Sequence, residues 1–375
     1  MSSSRLDAVS LGILWDRLIS ISNELEQTLA RTSFSTILRE SWDLAIILFD
    51  ARGRTLAQGA FSMPTFVGTA PETLKHMLKK YPAETLREGD VVITNNAWMG
   101  TGHNFDVCLM RPAFRDAKLI GFVMSISHVP DVGGRGFSAL NTTMYEEGLM
   151  IPPSKLVRAG VLNDEMIDLI RMNVRVAEQV IGDIMANVTA VEAGARRLVE
   201  LLDEYGLPDI EELADAIIGQ SEAAMRRAIR AMPDGVHHGR LQLEGLEGPI
   251  TIACRIEIAG ERLMVDFAGS DAQVPAAFNV PFCYTRALAA YAMKLLLLPK
   301  VPNNVGSVDP VEITAPPGTV VNATPPVATA ARHLVGHNII PMIFMAMADA
   351  LPEAVMANPA FTNILNIQGV NRGGE

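Results

Sequence analysis

The sequence predicts a mixed α/β (α+β) protein of two domains, and three observations carry that expectation. Apolar residues recur at helical spacing near the N-terminus and through a long central block. Short apolar runs ending in glycine-containing turns lie on either side of that block, and the pattern turns to strands after Pro233-Asp234-Gly235. Residues 1–232 should therefore form a first domain that includes a helical block at 163–231, and residues 233–375 a second, β-rich one. A chain of 375 residues, 49% hydrophobic and 19% charged, can bury a core in each.

Leu11, Leu14, Leu18, Ile21, Leu25 and Leu29 mark an amphipathic helix over residues 6–30. Residues 44–49 and 55–58 flank Asp50-Ala51-Arg52-Gly53 and read as a hairpin, with Asp43 at its mouth, where a surface or capping role is the plain reading. Pro64, Gly68 and Pro71 should hold off a short helix until residues 72–80. Strands are expected at 91–94, 107–110 and 119–126, with a turn at Arg115-Asp116. Asn163 caps a helix to 173, and helices over 177–205 and from 209 to 231 complete the block. Then come strands at 250–258 and 263–267, a helix over 280–298, a strand at 311–313 and a last helix over 334–351.

A net charge of -11 and a pI near 5.2 argue against nucleic acid, which would want a basic stripe. Three scattered cysteines, Cys108, Cys254 and Cys283, read as buried thiols of a reducing compartment, the cytoplasm. No signal core opens the chain, and the closest approach to a membrane span, 287–298, is short and carries Lys294.

The chemistry concentrates between Asn95 and Gly134. His103-Asn104-Phe105-Asp106 and His128-Val129-Pro130-Asp131 are two His-x-x-Asp units bracketing strand-like sequence. Residues three apart point to opposite faces of a strand, so His103 and Asp106 can converge only in a loop or helical turn, and Gly100 and Gly102 favour the loop. Two imidazoles and a carboxylate suit zinc, manganese or iron(II), and His103, Asp106 and His128 would leave coordination positions open for water or substrate. The alternative is that both histidines only hydrogen-bond loop backbone. Asp131 is open to three roles: ligand, acceptor for an imidazole N–H, or general base. Gly133-Gly134-Arg135-Gly136 could wrap an anion or be a simple turn. His237-His238 suggests an exposed loop, and His333 and His337, four apart on a helix without the glutamate of a His-Glu-x-x-His unit, suggest surface or interface roles. No phosphate-binding loop, dinucleotide fingerprint or nucleophile elbow is present, so any nucleotide must sit elsewhere.

These residues resemble the hydantoinase B/oxoprolinase family almost end to end. The likeness includes Ser41-Trp42-Asp43, Glu88-Gly89-Asp90-Val91, His103-x-x-Asp106 and His128-x-x-Asp131-Val132-Gly133-Gly134. It continues through Glu147-Gly148-Leu149-Met150-Ile151-Pro152-Pro153, Asn173-Val174-Arg175, Val265-Asp266-Phe267 and Pro302-Asn303-Asn304. The resemblance implies metal ligands at His103, Asp106 and His128 with Asp43 as a fourth, and His128 and Asp131 are the residues expected to act in catalysis. It also implies a hydantoinase A-like subunit that binds ATP and phosphorylates a lactam or bicarbonate, making this chain part of a cyclic amide hydrolase or, alternatively, of a ketone carboxylase. A non-catalytic assembly subunit is the third possibility. The chain departs from the family at Asn95-Asn96-Ala97, at Gly100-Thr101-Gly102, at Val129 and at Phe66, where histidine is common; these positions bear on the substrate more than on the ligands. It is also shorter than typical members, which implies an incomplete C-terminal domain or a separate polypeptide for the remainder.

Overall fold

The computed structural model describes residues 7–357. The expected helix start at residue 6 and the tail at 371–375 lie outside the described residues. The elements run α1 (Ala8–Thr32), α2 (Thr36–Glu40), β1 (Leu44–Asp50), β2 (Thr55–Gln58), α3 (Phe66–Lys80), β3 (Val91–Thr94), β4 (Asp106–Arg115), β5 (Lys118–His128), β6 (Ser154–Arg158) and β7 (Val161–Leu162). There follow α4 (Asp164–Asn173), α5 (Ala177–Glu204), α6 (Glu211–Arg230), β8 (Gly235–Leu243), β9 (Ile250–Ala259), β10 (Arg262–Asp266), α7 (Phe282–Leu297), β11 (Val311–Thr314), α8 (His333–Gly336) and α9 (Ile339–Met347). The architecture is the mixed α/β one expected.

Strands β1 to β7 form one antiparallel sheet in the order β2-β1-β5-β4-β3-β6-β7, and β8 to β11 form a second in the order β11-β10-β9-β8, with only β10 and β11 parallel. Strand β1 is buried at every position, so its alternate side chains sort onto two apolar layers. Leu44, Ile46 and Leu48 join the core built by Leu18, Ile21 and Leu25 of α1 and Val191 and Leu198 of α5. Ala45, Ile47 and Phe49 face Phe66, Ala70, Leu74 and Met77 of α3. Helix α3 also packs on α7, and α7 on α9, which rests on β8 and β9 and so links the two sheets.

Several expectations need correction. Helix α3 starts at Phe66, not 72, because Pro71 forfeits a single N–H while Phe66, Val67 and Ala70 are buried. The presumed loop at His237-His238 is edge strand β8, held by nine residue pairs with β9 despite a sequence without clean alternation. The last helix is broken after Gly336 and restarts at Ile339, since Pro341 has no N–H for the His337 carbonyl and its ring crowds that group. Helix α2 and the short strands β6 and β7 were not expected. No described helix is long and apolar enough to cross a membrane.

Candidate metal centre

Asp106 opens β4 and His128 closes β5, and the hairpin register makes them direct cross-strand partners. Opposed residues of antiparallel strands project to the same face, so the hairpin brings together a carboxylate and an imidazole 22 positions apart in sequence. The tip of the hairpin turns through Asp116 and Ala117 at positive φ. Asp43 precedes β1, whose Leu44 pairs with Ser127, and its carbonyl accepts the His128 N–H at 3.0 Å. His103 arrives on the loop between β3 and β4. That loop is tied down by Asn95, which donates to the carbonyls of Asn104 and Leu149 and accepts from Ile151 N–H at 2.6 Å.

His103, Asp106 and His128 each offer one ligand atom within 4.8 Å of the other two, and His103 Nε2 and His128 Nδ1 are the nitrogens turned to Asp106 Oδ1. Both nitrogens are 3.0 Å from Asp106 Oδ1. His128 Nδ1 approaches as a hydrogen bond should. His103 Nε2 does not: it is buried without a hydrogen-bond partner, while Nδ1 of the same ring faces the Ala330 carbonyl at 3.4 Å. With the proton held on Nδ1, the other nitrogen presents a lone pair to a carboxylate oxygen. A cation between two such acceptors satisfies both, so the donor set fits a divalent metal ion.

The far oxygen of Asp106 is fixed separately. Oδ2 accepts from Thr101 Oγ1 at 2.5 Å and from Arg332 Nη2 at 3.2 Å, and Arg332 Nε donates to the Thr101 carbonyl at 2.7 Å. The guanidinium lies over the Tyr284 ring at 4.1 Å. Gly102 makes room for it, since a Cβ there would meet Arg332 Cδ at 2.6 Å, and its φ of +93° suits glycine. Burial alone would raise the Asp106 carboxyl; His103, His128 and Arg332 reverse that and hold it well below the ordinary range. Burial, helped by Arg332, pushes His103 down to about 4. Burial works the other way on His128 but is outweighed by Asp106 and Asp43, which raise it. Asp43 is raised by burial and then by Asp106, and its Oδ2 sits 3.7 Å from His128 Nδ1.

The group opens on a cavity of about 420 Å³. Its lining combines apolar Ile37, Met63, Phe66, Phe105 and Phe137 with Tyr284, Arg332, His333 and His337. His333 and His337 both line the cavity, half-buried His333 stacking on Phe137 and His337, which stays exposed as expected, meeting Tyr284 Oη through Nε2 at 3.2 Å. Neither they nor Arg332 could be placed from spacing, because more than 200 residues separate them from His103. Asp131 stands apart. Its carboxylate accepts from Gly133 N–H at 3.0 Å, from Arg175 Nη1 at 2.7 Å and from the Arg175 backbone N–H, behind the wall that Pro130 contributes. The glycine turn after it holds no open anion nest, since Gly133, Arg135 and Gly136 N–H all donate internally and the Arg135 guanidinium pairs with Glu146.

The profile of the hydantoinase B/oxoprolinase family matches residues 7–375. The chain belongs to that family. It is 29% identical to a putative D-/L-hydantoinase component of Pseudomonas sp. (strain NS671), covering 97% of this chain and 65% of that one. This hydantoinase B/oxoprolinase member superposes on the crystal structure of the ATP-dependent caprolactamase from Pseudomonas jessenii with a TM-score of 0.85 at 27% identity, over 93% of this chain and 61% of the other. It shares its fold with nucleotide-free acetone carboxylase at a TM-score of 0.85 and 18% identity, over 94% and 50% of the two chains. The chain thus spans about half to two thirds of the length of these relatives.

Proposed function

We propose that this chain is the metal-bearing subunit of an ATP-dependent hydrolase of cyclic amides, acting with a hydantoinase A-like subunit that binds ATP. The observation that carries the reading is the convergence of His103 Nε2, Asp106 Oδ1 and His128 Nδ1 on one cavity, with a buried lone pair that protein groups leave unused. Two relatives, a hydantoinase component and an ATP-dependent caprolactamase, point to cyclic amides and to ATP, and this chain has no phosphate-binding loop of its own.

In this scheme His103, Asp106 and His128 hold a zinc, manganese or iron(II) ion, with Asp43 beside His128 as a fourth ligand or as the acceptor of a proton from water. Such an ion supplies Lewis-acid polarisation of the amide carbonyl and a water of lowered pKa. Arg332 and Thr101 aim Asp106 by occupying Oδ2 and leaving Oδ1 to the site. Phe66, Phe105 and Phe137 offer apolar lining to a small ring, and His333 and His337 add neutral imidazoles to it, burial having pushed them down to about 3 and about 4. Asp131 takes part by fixing, through Arg175, the turn that follows His128.

Metal analysis tests the reading first: one divalent ion per chain is expected, lost in His128→Ala, and a metal-free wild type that takes up none from solution removes the enzymatic reading and leaves an assembly subunit. With the ATP-binding subunit added, ATP-dependent opening of a lactam or hydantoin ring is expected. ATP turnover that requires bicarbonate and a ketone would instead make the complex a carboxylase.

A further inference from the structure

Glu147 is fully buried, and no Lys, Arg or His among the described residues lies within ion-pair distance of it. Its surroundings are donors. Oε1 accepts the backbone N–H groups of Thr329 at 2.7 Å and Ala330 at 2.6 Å, and Oε2 accepts Thr329 Oγ1 at 3.3 Å. A carboxylate is the side chain that offers only acceptors to such a set. Keeping one buried without a counter-charge is expensive, and burial raises its pKa although the Ala330 and Thr329 hydrogen bonds act against this.

Holding the two segments together does not require it. The Thr143–Val327 bridge, Met144 N–H on the Pro326 carbonyl and Ala328 N–H on the Thr142 carbonyl already do so. What Glu147 adds is a grip on Ala330 itself, whose carbonyl faces His103 Nδ1. The main-chain carbonyl of Glu147 also accepts Asn104 Nδ2 at 3.0 Å, so the residue after His103 hangs on the same point. Arg332, which braces Asp106, follows two residues after Ala330.

We infer that Glu147 is a positioning residue of the metal centre: by clamping Thr329 and Ala330 it keeps the proton on His103 Nδ1 and aims Nε2 at Asp106 Oδ1. This rests on the metal-centre reading proposed above. Partners of this kind around ligating histidines typically govern about 10- to 100-fold in metal affinity.

Cobalt(II) titration of the metal-free chain tests it, with affinity and the ligand-field spectrum at saturation as readouts and thermal melting as the control for folding. Glu147→Met should bind cobalt about 10- to 100-fold more weakly and show a shifted spectrum, because the Thr329 and Ala330 N–H groups lose their acceptor while the volume is kept. Thr329→Val, which loses only the hydroxyl contact, should shift both readouts the same way and less. Leu198→Ala, in the core between α5 and the large sheet, should lower the melting temperature while leaving cobalt affinity and spectrum as in wild type. A folded Glu147→Met protein with wild-type affinity and spectrum overturns the inference and leaves the metal reading standing. If that variant does not fold, Thr329→Val decides, and unchanged readouts there overturn it as well. Wild type that binds no cobalt overturns the metal reading and this inference together.

Discussion

Two buried titratable groups show how much one residue's surroundings decide. His103 is stripped of water next to Arg332, so it stays neutral and offers a lone pair at neutral pH. Glu26 of α1 is stripped of water next to no cation: burial raises its carboxyl to about 7, although Ser62 Oγ and the N–H groups of Ile46 and Phe61 all donate to it. The folded chain therefore keeps a proton that the unfolded chain has released above pH 4.5. The contribution to stability is complete below about 4.5 and is lost as pH rises towards 7, with a total on the order of 3 kcal/mol. Urea denaturation at pH 5 and pH 7 should show this loss in wild type and a flatter dependence in Glu26→Gln, the other titrating groups cancelling in the comparison. Equal slopes in the two proteins would remove Glu26 as the cause.

At the scale of elements, the site depends on how α3 and α7 carry the cavity walls. A Cβ on Gly68 would come within 2.7 Å of Ala287 Cα, so the two helices touch backbone to backbone one turn from Tyr284 and two residues from Phe66. Gly68→Ala should cost about 1–3 kcal/mol by overpacking, in spite of alanine's better helix propensity. A melting temperature equal to or above wild type would show that α7 shifts freely. The same contact explains why α3 was illegible at its start: Pro71 argues locally for a break, and only burial against a helix more than 200 residues away outweighs it. Legible elements were those with strong local periodicity, such as α1, α5 and the hairpin β1–β2. Strand β8 lacks such a pattern and exists through its pairing with β9. The His103, Asp106 and His128 group was legible because loop glycines and a single hairpin bring its members together. Arg332, Glu147 and the His333–His337 pair were not, because their roles arise from packing between distant segments.

Across the whole molecule, the site is a seam between two parts of the chain. The large sheet and its β3–β4 loop contribute His103, Asp106 and His128, and the later part of the chain contributes Tyr284 of α7 and Arg332 just before α8. The pair Arg332–Asp106 crosses that seam with both side chains buried. Removing one partner of a buried pair leaves an uncompensated charge and costs about 3–5 kcal/mol. Arg332→Met therefore should destabilise the metal-free protein by about that much. A bound divalent ion supplies positive charge to the same carboxylate, and it no longer shares it with a guanidinium that repels it. By linkage, the metal-saturated variant should lose less stability than the metal-free one, and its metal affinity should rise correspondingly. Chemical denaturation of both proteins with and without zinc measures all four corners of the cycle. An equal loss with and without metal would show that guanidinium and ion do not compete for Asp106, and that the seam is held by packing around Tyr284 more than by charge.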